Sequence, residues 1–117
     1  MIKYSIQQFQ EEFDRLFQPK YPFLKIVFHL PAGAKQIQQN LIEWRGARKS
    51  FSLADLGIED VVTLQSFQEK IKMEFGLELT CYRKMNQSWL PANHTKHLSF
   101  EQQNKIGLEL ALSKKLY

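Results

Sequence analysis

The sequence predicts a small α+β domain, and the stretch Thr63–Leu90 carries most of that prediction. Within it, Phe67, Ile71 and Phe75 recur near the helical period of 3.6, and Gly76 suits the left-handed residue that often ends a helix. The apolar period then changes to two, which is typical of a half-buried strand. The residues expected on the buried face of that strand are Leu77, Leu79 and Cys81.

Length and composition favour one domain spanning residues 1–117, because two cores in a chain of this size would each be marginal. We expect a mostly antiparallel sheet of about four strands packed by two to three helices. The order strand, strand, helix, strand, strand also resembles that of β-grasp domains. The single cysteine excludes an internal disulfide, the N-terminus lacks a secretory pattern, and no apolar run approaches a membrane span, so we expect a cytoplasmic protein.

The N-terminal region predicts a helix followed by a strand. Ser5 and Gln8 form a capping box at the helix start, and Pro19 and Pro22 are expected to end the helix. The alternation of apolar residues over 23–30 then indicates a strand, which we expect at the centre of the sheet. The helix's apolar positions are Ile6, Phe9, Phe13, Leu16 and Phe17.

The middle of the chain is less regular. Residues 31–47 fit a helix or an irregular insertion, residues 48–53 alternate like a short strand, and residues 54–60 read as a turn with Gly57 at its bend. Ser66 and Glu69 have the capping-box spacing, so we expect the central helix to begin at Ser66.

The C-terminal part predicts a hairpin and a last helix. Residues 77–84 and 87–90 form the hairpin strands, and Ser99 with Gln102 forms a third capping box. On that last helix, Ile106 and Leu110 are expected to face the core. A second apolar stripe, expected to pack on another chain, consists of Leu108, Leu112 and Leu116.

Several of these segments together resemble a family of small uncharacterised bacterial α+β proteins. The family pattern places FGL-x-V-x-V-F-R-K before a Trp-Leu pair and a TLEEQN-like helix start, and the resemblance covers most of the chain outside residues 31–47. Here the matching places are held by Tyr82-Arg83-Lys84, Trp89-Leu90, Gln103-Asn104 and Gly107. The family has no established activity, so the resemblance implies one domain and no site.

The formal charge of +4 raises the question of a polyanionic partner. No run of basic residues is longer than two, and the excess is spread along the chain, whereas nucleic-acid binders usually concentrate it on one face. The sequence therefore makes a nucleic-acid partner unlikely, and we rank it as an alternative.

The sequence contains no recognisable pattern of catalytic, metal-binding or cofactor-binding residues. His94 and His97 have H-x-x-H spacing in a polar loop, but the spacing lacks the second ligand pair of a zinc site. Cys81 is expected on the apolar face of its strand, where desolvation makes a thiol inert. We therefore predict no enzyme, no cofactor and no metal.

The sequence favours a non-enzymatic, cytoplasmic protein-interaction module that binds a protein partner or itself. Tyr, Trp and Arg are enriched at binding hot spots. An exposed apolar stripe on a helix is typical of a surface that packs against another protein chain. Two alternatives remain: a nucleic-acid binder using Lys70, Lys72, Tyr82, Arg83 and Lys84, and a small metal protein or enzyme centred on His94 and His97. The predicted binding residues are Tyr82, Arg83, Lys84, Trp89, Leu108 and Leu112.

Overall fold

The computed structural model describes residues 2–31, 42–44, 51–85 and 87–113. They form five strands, three α-helices and one short 3₁₀ turn at Asn93–Thr95. The strands are β1 (Ile2–Tyr4), β2 (Leu24–His29), β3 (Ile42–Trp44), β4 (Glu78–Met85) and β5 (Ser88–Pro91). The helices are α1 (Ile6–Lys20), α2 (Leu64–Phe75) and α3 (Phe100–Ser113). The α+β class is confirmed.

The strands form two antiparallel sheets, one of three strands in the order β2-β4-β5 and one of two strands, β1 and β3. The predicted hairpin of β4 and β5 is confirmed, but the prediction that residues 23–30 lie centrally is wrong, because β4 lies between β2 and β5. The described residues do not confirm a four-stranded sheet or β-grasp topology. Pairing with β1 makes β3 a strand inside a segment expected to be helical or irregular.

Residues 51–53 are not a strand, although Phe51 is buried as the alternation predicted. The other residues of that predicted strand, 48–50, lie outside the described residues, as do 32–41 and 45–47 of the predicted insertion. The turn at Gly57 is confirmed, since its φ of 80° lies in the left-handed region that glycine accommodates.

Helix α1 begins with the predicted capping box: the Gln8 amide donates to Ser5 Oγ, and the Ser5 amide donates to Gln8 Oε1. The prediction that Pro19 ends the helix is wrong, because Pro19 lies in its last turn. A proline there removes one helical hydrogen bond near an end that already has unpaired carbonyls, and the Tyr21 amide still bonds the Phe17 carbonyl.

Helix α2 begins earlier than predicted. Thr63, not Ser66, is the N-cap, and Thr63 Oγ1 accepts the amide hydrogen of Ser66. Both hydroxyl residues suit a cap, and the choice of Thr63 brings buried Leu64 into the helix. The predicted stop is confirmed, because Gly76 is left-handed with a φ of 66°.

The buried side chains form one cluster between the helices and a single face of the three-stranded sheet. Phe28 on β2 contacts Phe13 of α1 and Phe67 of α2 in edge-to-face geometry, and Phe100 of α3 contacts Phe67. Phe75 was expected inside this cluster but is only partly buried at its margin. All three helices therefore cover the same side of the sheet.

Helix α3 starts at the predicted capping box of Ser99 and Gln102. Its buried face, however, consists of Phe100, Gln103 and Gly107. Ile106 and Leu110, predicted to face the core, are only half-buried. The helix turns Gln103 and Gly107 toward the sheet, because Gln103 bonds Arg83 and Gly107 lies against Phe23 there.

Candidate functional site

The side of the three-stranded sheet that faces away from the helices is the candidate site, and we call it the open face. Alternation along β4 sends Leu79 and Cys81 into the core, so Thr80, Tyr82 and Lys84 project to the other side. The same alternation on β2 exposes Lys25 and leaves Val27 half-buried. Within the described residues, none of the three helices packs on this face.

Strand register places an aromatic residue beside a lysine twice on the open face. Lys25 of β2 lies opposite Tyr82 of β4, and Lys84 of β4 lies opposite Trp89 of β5. Lys84 Nζ lies 5.8 Å from the centre of the Trp89 ring, within cation–π distance. Lys25, Val27, Tyr82 and Trp89 line a shallow depression of about 220 Å³. Typical small-molecule pockets have volumes of about 300 to 1,000 Å³, so this depression is smaller than such a pocket.

The charge on this face is asymmetric. Lys25 lines the depression and Lys84 lies opposite its lining residue Trp89, whereas Glu78 lies opposite His29 at the other end of β4. Glu78 lies four positions before Tyr82, which is about 13 Å along a strand. Since the Debye length is about 8 Å at physiological salt, Glu78 does little to offset the two lysines.

Both outer edges of the three-stranded sheet are poor sites for adding another strand. On β2, Gln10 of α1 closes the edge: its Nε2 donates to the Ile26 carbonyl at 2.7 Å, and its Oε1 accepts from the Phe28 amide at 2.7 Å. On the other edge, β5 has four residues and ends in Pro91, which has no amide hydrogen. The accessible feature is thus the face of the sheet and not its edge.

Arg83, one of the predicted binding residues, lies between Tyr82 and Lys84 in β4 but points to the side of the sheet opposite the open face. Alternation turns it toward α3, where its Nη1 donates to Gln103 Oε1 at 3.1 Å and to Thr95 Oγ1 at 3.3 Å. Gln103 is 0% exposed, and its Nε2 donates to the Thr95 carbonyl. A buried amide with partners at both ends fixes α3 against the sheet.

Two more residues of the family-like pattern, Asn104 and Gly107, also have structural contacts. Asn104 Oδ1 accepts the Phe23 amide hydrogen at 3.0 Å, and Gly107 lies against Phe23 and the aliphatic part of Arg83. Sequence reasoning found these positions through the resemblance but did not assign a role. The contacts explain them as the junction between α3 and the sheet.

Leu108 and Leu112 are 40% and 52% exposed on α3, on the side where the second apolar stripe was predicted. Leu116, the third member of the stripe, lies outside the described residues. Lys70 and Lys72, offered as nucleic-acid contacts, lie on α2 and are separated from Tyr82 and Lys84 by the sheet. The structure therefore does not bring that predicted set together.

His94 and His97 are both exposed around the 3₁₀ turn. In the described part of the chain, no three His, Cys, Asp or Glu side chains are grouped so that they could hold a metal ion. Cys81 is buried, and burial raises the pKa of its thiol to about 12, with a smaller opposing effect of Arg83. The thiolate required of a nucleophile is thus suppressed, as the sequence predicted.

Sequence reasoning missed Lys25 and Val27 as part of the site. The alternation of residues 23–30 already placed Lys25 on the outer side, but the pairing that sets it beside Tyr82 depends on β2–β4 register.

Comparisons with protein-family models, curated proteins and solved structures gave no match. The helices among the described residues include none that is long and apolar enough to cross a membrane.

Proposed function

We propose that the protein is a non-enzymatic, cytoplasmic interaction module and that the open face is its binding surface. The observation that carries the proposal is the presence of two aromatic–lysine pairs, Lys25–Tyr82 and Lys84–Trp89, on a sheet whose other face is filled by helices. Lys25 is exposed, and the other three side chains are half-buried. Aromatic rings present large contact areas with few rotatable bonds, which is why they dominate binding energies at interfaces.

The shape of the site also favours binding over catalysis. The depression is shallow and its walls are formed by lysine, valine and two aromatic side chains. General acid–base catalysis requires titratable groups held together with their pKa values pushed apart, and nucleophilic catalysis requires an activated thiol or hydroxyl. The depression brings together no such set from the described residues.

The proposal can be tested by affinity capture from a lysate of the source cell. Three baits are compared: the wild-type chain, an open-face variant carrying Lys84→Gln and Trp89→Ala, and a control carrying Lys72→Gln and Lys105→Gln. Both control lysines are exposed on helices that cover the other side of the sheet. Captured protein is identified by mass spectrometry and captured nucleic acid by end labelling.

We expect a set of captured molecules that the wild type and the control retain and that the open-face variant loses. All three baits must give the same circular dichroism spectrum and melting temperature, so that loss of capture reports the surface. Capture that is the same for the wild type and the open-face variant would contradict the proposal.

A second binding surface is supported by a separate observation. The exposure of Leu108 and Leu112 leaves a stripe of α3 uncovered within the described residues, and a second copy of the chain would cover it in a self-associated form. Sedimentation of the wild type against Leu108→Glu and Leu112→Glu variants tests this. A wild-type chain that stays monomeric at high micromolar concentration excludes self-association through α3.

A further inference from the structure

Resting on the proposed function, we infer that the ligand of the open face is a single-stranded nucleic acid, whose bases stack on Tyr82 and Trp89 and whose phosphates contact Lys25 and Lys84. The open face presents the same combination of groups in two residue pairs, Lys25–Tyr82 and Lys84–Trp89. In each pair, a ring able to stack lies directly across from a cation. Nucleotides combine a planar base with a phosphate in the same repeating way.

The geometry of the ladder supports two stacking positions. The Ala92 amide donates to the Cys81 carbonyl at 2.9 Å, so alternation makes Lys84 and Trp89 a close, non-hydrogen-bonded pair. Tyr82 and Trp89 are then diagonal neighbours on one face, at positions whose backbones are about 7 to 8 Å apart. Two aromatic residues on such positions offer separate stacking sites to two bases of an extended single strand.

Charge complementarity selects an anionic ligand. Lys25 lines the depression, Lys84 lies opposite its lining residue Trp89, and the effect of Glu78 on both lysines is weakened by distance and salt. The Lys84 ammonium already lies against the Trp89 ring, so a phosphate contact would place it between an anion and an aromatic surface. Lysine acts here as a flexible point charge, which suits contact with a backbone of variable sequence.

The closed edges of the sheet favour nucleic acid over an acidic peptide. An extended peptide usually adds to a sheet edge, where its backbone groups find partners. Here Gln10 occupies one edge, and the other is short and ends in Pro91. A peptide lying across the face would leave its backbone polar groups unpaired against apolar rings, at a cost for each group. A base offers its π surface instead.

Duplex nucleic acid fits this face less well than a single strand does. In a duplex the faces of the bases are stacked on one another, so Tyr82 and Trp89 could not reach them without unstacking. Two lysines alone would give weak contact with the phosphates of a duplex. The face should therefore distinguish single strands from duplexes of the same length.

The test is fluorescence anisotropy with labelled oligothymidylate and oligouridylate of about 12 nucleotides, within the range of single-domain site sizes. A duplex of the same length and an acidic peptide are run beside them. For the single strands we expect a dissociation constant of about 1 to 100 μM at physiological salt. Two phosphate contacts predict a slope of about −1.4 in a plot of log affinity against log salt concentration.

Matched variants separate the two components of binding. Lys25→Gln with Lys84→Gln should weaken binding and bring the salt slope close to zero, whereas Lys72→Gln with Lys105→Gln should leave both unchanged. Trp89→Ala should weaken binding about 5- to 100-fold with little change in slope, because it removes stacking and keeps the charge. Trp89→Phe keeps an aromatic ring and should restore most of the affinity.

Several outcomes would overturn the inference: failure of the single strands to bind at about 1 mM, equally tight binding of the duplex, or equal sensitivity to the control lysines. If the acidic peptide binds, loses binding in the open-face variants, and the oligonucleotides do not bind, the ligand assignment is wrong while the interaction surface stands. If lysate capture is also independent of the open face, the proposed function fails as well.

Discussion

Gly107→Ala gives the sharpest test of how α3 meets the sheet, because helix propensity and packing predict opposite signs. In an exposed helix interior, replacing glycine by alanine stabilises by about 1 kcal/mol. In this structure a Cβ added at position 107 would lie 2.6 Å from Phe23 Cβ and 3.2 Å from the Phe23 carbonyl oxygen. Ordinary contact begins at 3.4 Å, so the two backbones must separate by about 0.8 Å (3.4 − 2.6).

Phe23 cannot move away freely. Its amide donates to Asn104 Oδ1 at 3.0 Å, and its carbonyl accepts the Lys84 amide at 2.9 Å. Overpacking of this kind costs about 1 to 3 kcal/mol, and weakening one of the two hydrogen bonds adds about 1 kcal/mol. Against the gain of about 1 kcal/mol from propensity, we expect Gly107→Ala to lower the free energy of unfolding by about 1 to 3 kcal/mol.

The measurement is urea denaturation followed by far-ultraviolet circular dichroism, with the midpoint and the slope fitted separately. A Phe23→Gly background removes the Cβ that causes the clash, so Gly107→Ala should cost less there, as a double-mutant cycle would show. A Gly107→Ala variant that is more stable than the wild type would refute the close approach of α3 to residue 23.

Three further predictions concern the core, the polar junction and the thiol. Phe67→Ala should lower the free energy of unfolding by about 3 to 5 kcal/mol in denaturant melts, because Phe67 is fully buried. Phe75→Ala should lower it clearly less, because Phe75 lies at the margin of the core, and equal losses for the two variants would contradict this packing. Gln103→Ala should cost about 2 to 4 kcal/mol, since it removes the hydrogen bonds that the Gln103 amide makes with Arg83 and with the Thr95 carbonyl and leaves a void at the junction. A loss below about 0.5 kcal/mol would contradict this buried junction. Cys81 should resist alkylation at pH 8 until the protein unfolds. Because its pKa is raised to about 12 in the folded state, stability should also fall as the pH rises above about 9, where the unfolded thiol ionises first; Cys81→Ala should remove that part of the pH dependence.

Features set by local chemistry were predicted well. The capping boxes at Ser5 and Ser99 and the left-handed Gly76 depend on residues that are only a few positions apart. Their contacts can therefore be predicted from the local sequence. The start of α2 was missed because Thr63 and Ser66 are both suitable caps. Burial of the following Leu64, a tertiary effect, favours the earlier one.

Features set by distant contacts were predicted poorly. Gln103 is polar, so an apolar pattern pointed to Ile106 and Leu110 as the buried face of α3 instead. Its burial becomes favourable only because Arg83 and Thr95, from other segments, satisfy its amide. The sequence could suggest this position through the family-like pattern, but it could not indicate which partners would meet it.

The sequence by itself determined the α+β class, the start of α1, the end of α2, the start of α3, and the alternation that sends Tyr82 and Lys84 to one side of β4 and Cys81 to the other. These follow from backbone periodicity and capping, which act over a few residues. The tertiary structure alone decided that Lys25 lies beside Tyr82, that Arg83 turns to Gln103, and that the helices of the described residues pack on one side of the three-stranded sheet. Each depends on strand register and helix packing between distant segments, which are selected by the fit of the whole core.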